Sequence, residues 1–414
     1  MPMPGISLGV CVNKEPHEMN ASSLAILGAQ PAFDSPVPIG QLYFPSWQRY
    51  ESAFRDIFER QYYTNQGPLA QRLEERLQEF LGVKHAICVS NATIGLIMMP
   101  DALGLSGKVI LPSFSFAASA QSLSWAGLRP VFCDIDPDSH QIAADRIGAL
   151  IDENVSAIMG VNLWGGACDL KALAEVADEN GIQLYFDSAH GFGCAADGIS
   201  LGNFGRAEVF SFHATKILNA TEGGCICTND DELAARLRNI RSSYGAGRFV
   251  EVVKTANGRM SEAQAAIALM SLDDFPENRE NNEALYRLYA ARLKDIPGLC
   301  LVEPSGVSRS NYQYVVCTVD EREFGLGRDL LIETLKAENV IARRYFYPGL
   351  HRCIPYATDF PQYLDRLPDT DRLCASCIQF PIGALVSADG VERICKILVS
   401  AHRLSARIRS RHAE

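Results

Sequence analysis

Between residues 108 and 230 the chain carries six short, almost unbroken apolar runs: KVILPS (108–113), RPVFCDID (129–136), VSAIMGVNLW (155–164), IQLYFDSAH (182–190), AEVFSFHATK (207–216) and GGCICTND (223–230). A strand with one wet face alternates in polarity, whereas a run that scarcely alternates is covered on both faces. Between the runs lie amphipathic stretches such as 169–181, where Leu170, Leu173, Ala174 and Val176 share a helical face and Gly181 supplies a stop. This rhythm predicts an α/β fold, with a mainly parallel central sheet between two layers of helices.

Beyond residue 230 the pattern turns helical, first over 230–245 and then over 278–296, the second reading as a long connecting helix. After it, SNYQYVVCTVD (310–320) reads as a strand, 327–340 as a helix, IARRYFY (341–347) as a strand, and 387–408 as a final helix capped by Ser387 or Asp389. The predicted organisation is an arm over 1–40, rich in proline and poor in periodicity, a large domain over 41–295, and a smaller C-terminal α/β domain over 296–414.

A net charge of -11 opposes non-specific attraction to nucleic acid or to an anionic membrane face, so an anionic ligand must be met by a local site. The N-terminus lacks a basic start followed by a long apolar run, and no segment reaches the roughly 18 apolar residues that span a bilayer. The 13 cysteines are scattered singly through apolar runs, and the pair Cys374 and Cys377 lacks the second pair or the histidines of a zinc site. The expectation is a cytoplasmic protein with reduced thiols and no metal.

Ligands gather outside the carboxyl ends of the strands in an open parallel sheet, and four such ends are chemically loaded. In VSNATIGL (89–96) a strand gives way to a helix beginning near Thr93, a pattern found at phosphate sites and, more often, at ordinary helix caps. Phe114 and Phe116 follow the strand of KVILPS, placed for core packing or for stacking on a flat heterocycle. Asp187 ends an apolar run with His190 three residues on, and a carboxylate there needs a charged or hydrogen-bonding partner unless it simply caps a helix. Lys216 follows 29 residues after Asp187, the span of one strand-helix-strand repeat, so the two fall in one crevice. A buried lysine amine with lowered basicity forms a Schiff base with an aldehyde. A phosphate at Ser211 and Thr93, a ring on Phe116, a ring N–H on Asp187 and an imine to Lys216 together describe pyridoxal phosphate.

The motifs TNQGPLAQRLEERLQEFLGVKHAICVSNATIGL, FDSAHGFG, FSFHATKILNATEGG, GRMSEAQAAIAL and ARRYFYPGLH stand collinear over residues 45 to 400. In them the chain resembles the DegT/DnrJ/EryC1/StrS nucleotide-sugar aminotransferases, which have the aspartate aminotransferase fold, the type I fold of pyridoxal-phosphate-dependent transferases. NATIGL, NLWG, YFDSAHGFGCAADG and EVFSFHATK are most similar to members that aminate C4 of a dTDP-4-keto-6-deoxyglucose, as in the desosamine pathway.

The resemblance implies that Lys216 carries the cofactor and shuttles the proton, that Asp187 pairs with the ring nitrogen, and that His190 lies near the ring oxygen. Phe116 would stack on the ring, while Thr93, the backbone of Ile94 and Ser211 would hold the phosphate. It further implies a homodimer with shared active sites, Asn257 or Arg259 reaching across, and substrate contacts from Arg343, Tyr345 and His351. The implied partners are a nucleotide sugar and an amino acid donor, glutamate. Related ketosugar dehydratases carry histidine at the position of Lys216 and are set aside by it. An aminotransferase acting at C3 of a ketosugar or on an aminocyclitol precursor is the alternative. A non-enzymatic, cofactor-binding transcriptional regulator is more distant, because no DNA-binding unit is visible.

Overall fold

The computed structural model describes residues 24–242 and 247–412. Its larger sheet has seven strands: β1 (His85–Val89), β2 (Lys108–Pro112), β3 (Arg129–Cys133), β4 (Val155–Val161), β5 (Gln183–Asp187), β6 (Glu208–Ser211) and β7 (Gly224–Thr228). They lie in the order β1-β7-β6-β5-β4-β2-β3, parallel throughout except for β7, which runs against both its neighbours. Nearly every residue of these strands is buried, which is why the runs do not alternate.

Helices cover both faces. Ala92–Leu103 lies so close to the sheet that a Cβ on Gly95 would meet the Val209 side chain at 2.9 Å. This fixes the start of that helix above β6. Leu170–Glu179 is capped by Asp169, whose carboxylate accepts the Ala172 N–H, and Gly181 follows with a φ of 64°.

A second unit is built on three antiparallel strands, β8 (Leu299–Leu301), β9 (Val315–Val319) and β10 (Cys377–Phe380), packed against the helices Phe275–Leu293, Arg328–Ala337 and Ala388–Arg403. Of the expected arm, residues 1–23 lie outside the described residues. From Leu24 the chain is packed into the second unit's core, with the Ala25 and Ala32 N–H groups donating to the Glu338 carboxylate. Among the described residues, no helix is long and apolar enough to cross a membrane.

Three local expectations fail for identifiable reasons. The connection from β5 to β6 holds no helix but a small hairpin, Ala195–Ala196 with Ile199–Ser200, because Gly191, Gly193, Gly198, Gly202 and Gly205 deny it helical propensity. IARRYFY is not a strand: only Arg343 pairs, exchanging both backbone bonds with Gln379, and the chain then turns inward to bury Phe346. The final helix is in two pieces, Ala388–Arg403 and Ser405–His412, broken at Leu404. The helix expected over 230–245 covers Asp231–Arg241, and residues 243–245 lie outside the described ones.

Candidate active site

The carboxyl ends of β5 and β6 and the start of the helix Ala92–Leu103 converge on a cavity of about 730 Å³. Asp187 closes β5, in register beside Val209 of β6. It is buried, its Oδ2 accepts the Ser119 hydroxyl at 2.8 Å and its Oδ1 accepts the Ala189 N–H at 3.2 Å. Burial raises its pKa, while those two bonds and the charge of Lys216 pull the other way.

Lys216 stands in the turn after β6 and donates from Nζ to the Tyr314 hydroxyl at 2.9 Å. Burial lowers its pKa to about 8, only partly offset by Asp187. An amine of that basicity both attacks carbonyls and trades protons near neutral pH. His190 is buried on the same wall, its ring centroid 4.3 Å from that of Tyr314 and 5.4 Å from that of Trp164. Burial first, and then Lys216, hold it well below the usual imidazole range, so it is neutral. Its Nδ1 has no hydrogen-bond partner among the described residues.

Beneath these groups lies a buried polar chain. Asn162 donates from Nδ2 to Ser188 Oγ at 2.9 Å, and the Ser188 hydroxyl donates to Glu208. The other oxygen of Glu208 accepts the N–H groups of Gly202 and Phe204. Burial pushes the Glu208 carboxyl up to about 7 against the pull of these donors. The chain ties the loop after Asp187 to the first residue of β6.

Of the residues picked from sequence, Thr93, Ile94, Phe116, Asp187, His190, Ser211, Lys216, Arg343 and Tyr345 all line the cavity. The Ile94 N–H, expected to meet a phosphate, is engaged by its own helix cap: it donates to Asn91 Oδ1 at 2.9 Å. Thr93, beside it in the first turn of the same helix, faces the same cavity. His351 does not reach the cavity. It is fully buried, with Nδ1 2.7 Å from Ser113 Oγ and Nε2 3.1 Å from Asp371, so it ties two elements together. Asn257 and Arg259 also lie off the cavity wall of this chain: Asn257 is exposed, and Arg259 pairs with Val89 at the end of β1.

Sequence reasoning missed Tyr314, Ser119 and the chain Asn162–Ser188–Glu208. Ser119 lies three residues past Phe116, and four residues past Ser115 its hydroxyl bonds both Asp187 and Ser115. Tyr314 carried no local signal, because its partner is 98 residues away.

The residues fit pyridoxal phosphate. A buried, unpartnered imidazole nitrogen, a buried carboxylate, a weakly basic lysine and a helix start face one space of sufficient volume.

Comparison with known proteins gives one consistent result. The model of the DegT/DnrJ/EryC1/StrS aminotransferase family matches residues 48–399. A dTDP-4-amino-4,6-dideoxy-D-glucose transaminase of Shigella dysenteriae is 36% identical over 370 residues, covering 87% of this chain and 98% of its own. A protein of the same name from Escherichia coli is 30% identical over 368 residues, covering 88% and 99%. The crystal structure of DesI, described in the presence of its TDP-sugar product, superposes with a TM-score of 0.88 at 40% identity, covering 95% of this chain and 100% of DesI.

Proposed function

Because this chain belongs to the DegT/DnrJ/EryC1/StrS aminotransferase family and is a pyridoxal-phosphate-dependent aminotransferase, we propose that it aminates C4 of a dTDP-linked 4-keto-6-deoxy sugar. The donor in this reading is an amino acid, glutamate, and the product is a 4-amino-4,6-dideoxy sugar nucleotide. The observation that carries it is Lys216 and Asp187 on adjacent strand ends of one cavity, in a chain 40% identical to DesI.

Lys216 would hold the cofactor through its amine, Asp187 by the ring nitrogen, His190 beside the ring oxygen and Phe116 on the ring face. Thr93 and Ser211 would hold its phosphate. Bound pyridoxal phosphate supplies an electron sink to the carbon that loses a proton. The residues of the chain do the rest. As a neutral amine, Lys216 would take the proton from the donor's α-carbon, and as an ammonium it would serve as the acid that gives it back. In the second half the same amine works in reverse, ending with a proton delivered to C4 of the sugar. Ser119 holds the Asp187 carboxylate in place by its hydroxyl. Arg343 and Tyr345, at the outer wall, would orient anionic groups of the two substrates. We place Asn257 and Arg259 across the interface of a homodimer, each completing the cavity of the other subunit.

The test is an end-point assay of several 3-keto and 4-keto nucleotide sugars with glutamate, products read by mass. Amination of the 4-keto dTDP sugar is expected. Turnover of only a 3-keto sugar, or of only a non-nucleotide ketone, would overturn the substrate assignment.

A further inference from the structure

The segment Asn311–Tyr314 enters the site from the second unit, just ahead of β9, and is almost wholly buried at Asn311, Gln313 and Tyr314. It clasps both loops that carry the reacting groups. Asn311 Nδ2 donates to the carbonyls of His190 and Phe192 at 3.0 and 2.9 Å. Gln313 spans the gap between the loops: its Nε2 donates to the His190 carbonyl at 2.8 Å, and its Oε1 accepts the Ile217 N–H at 3.2 Å. The next residue, Tyr314, packs tilted against the His190 ring and its hydroxyl oxygen accepts a hydrogen bond from Lys216 Nζ.

We propose that Tyr314, braced by Gln313, is a positioning residue for Lys216: its hydroxyl holds the amine at one point of the cavity and favours its protonated form. This rests on Lys216 being the reacting amine of the function proposed above. A phenol so deeply buried stays un-ionised, since burial drives its pKa far upward. It therefore offers a neutral oxygen to the ammonium, a charge-assisted bond stronger than the O–H···N bond it could give the free amine. The titratable and charged groups around Lys216 come from several elements. Asp187 ends β5, His190 follows it, and Arg343 and Tyr345 come from the 341–347 segment. His213 and Glu222 flank Lys216 on its own loop. Among the described residues none of these six bonds Nζ, which donates to Tyr314 instead. An amine that must both take and return a proton is served by a partner that holds it in position in its charged state.

The experiment uses the full-length chain freed of cofactor, so it needs neither substrate nor turnover. Lys216 is acetylated by short pulses of acetic anhydride across a range of pH, and its peptide is quantified by mass. Tyr314→Phe is expected to lower the midpoint of the profile by about one pH unit, the size of one charge-assisted hydrogen bond. Tyr286→Phe, which removes a buried hydroxyl that donates to the Val302 carbonyl in the same unit, is expected to leave the midpoint at the wild-type value. Gln313→Met should move it in the same direction by less, and this profile decides the matter if Tyr314→Phe does not fold. An unshifted or raised midpoint in folded Tyr314→Phe overturns the proposal, as does an equal shift in Tyr286→Phe. Failure to aminate any sugar nucleotide would strike the substrate assignment and leave this comparison untouched.

Discussion

The inner end of the cavity and its mouth are built by different means. At the inner end Asp187, His190 and Lys216 are carried on or just after buried, adjacent strands, and a polar chain of Asn162, Ser188 and Glu208 joins the residues that follow β4 and β5 to the first residue of β6. At the mouth Phe116 is 61% exposed, and Arg343 and Tyr345 sit on a segment held to its sheet by a single residue pair. The inner end is suited to one unchanging chemistry. The mouth is suited to variation, because its side chains can be exchanged without disturbing the sheet.

That contrast predicts that inner changes strike turnover and cofactor retention, whereas outer changes strike substrate affinity. Lys216→Ala should lower kcat by at least about a thousandfold, read by product mass, with loss of visible absorbance from the purified protein. Asp187→Ala, which removes the buried carboxylate at the inner end, should cost about a hundredfold in kcat. The pH dependence has a definite sign. The neutral amine is the nucleophile and Lys216 titrates at about 8, so the rate of cofactor loading, followed by absorbance, should rise with pH up to about 8 and then level off. Below that point the slope approaches about tenfold per pH unit. Arg343→Ala should raise the KM of the sugar nucleotide by up to about tenfold with kcat nearly kept. A kcat loss equal to that of Asp187→Ala would erase the distinction between the two regions. The smallest effect belongs to Ser119→Ala, about fivefold in kcat, since Asp187 keeps its second hydrogen bond, from the Ala189 N–H.

The same contrast explains what could be read from the sequence. Asp187 and Lys216 were visible because each follows a run whose composition marks a buried strand, and the ends of such strands converge in a parallel sheet. The route between them was misread as a helix because the rhythm of the other crossovers outweighed the five glycines in it. His351 was assigned by its place in a motif, yet Ser113 and Asp371 engage both of its ring nitrogens. The Ile94 N–H is bonded to the Asn91 cap, a partner three residues away in the sequence. Tyr314 escaped notice because only the packing of the second unit against the first brings it to Lys216. Local pattern thus revealed what the strands carry, and tertiary packing decided which neighbours serve it.

The most direct test is to load the full-length chain with pyridoxal phosphate, reduce it with borohydride, digest it, and locate the added mass. The account predicts a phosphopyridoxyl group on Lys216 alone. A label on another lysine, or no label in a folded protein supplied with excess cofactor, would contradict it.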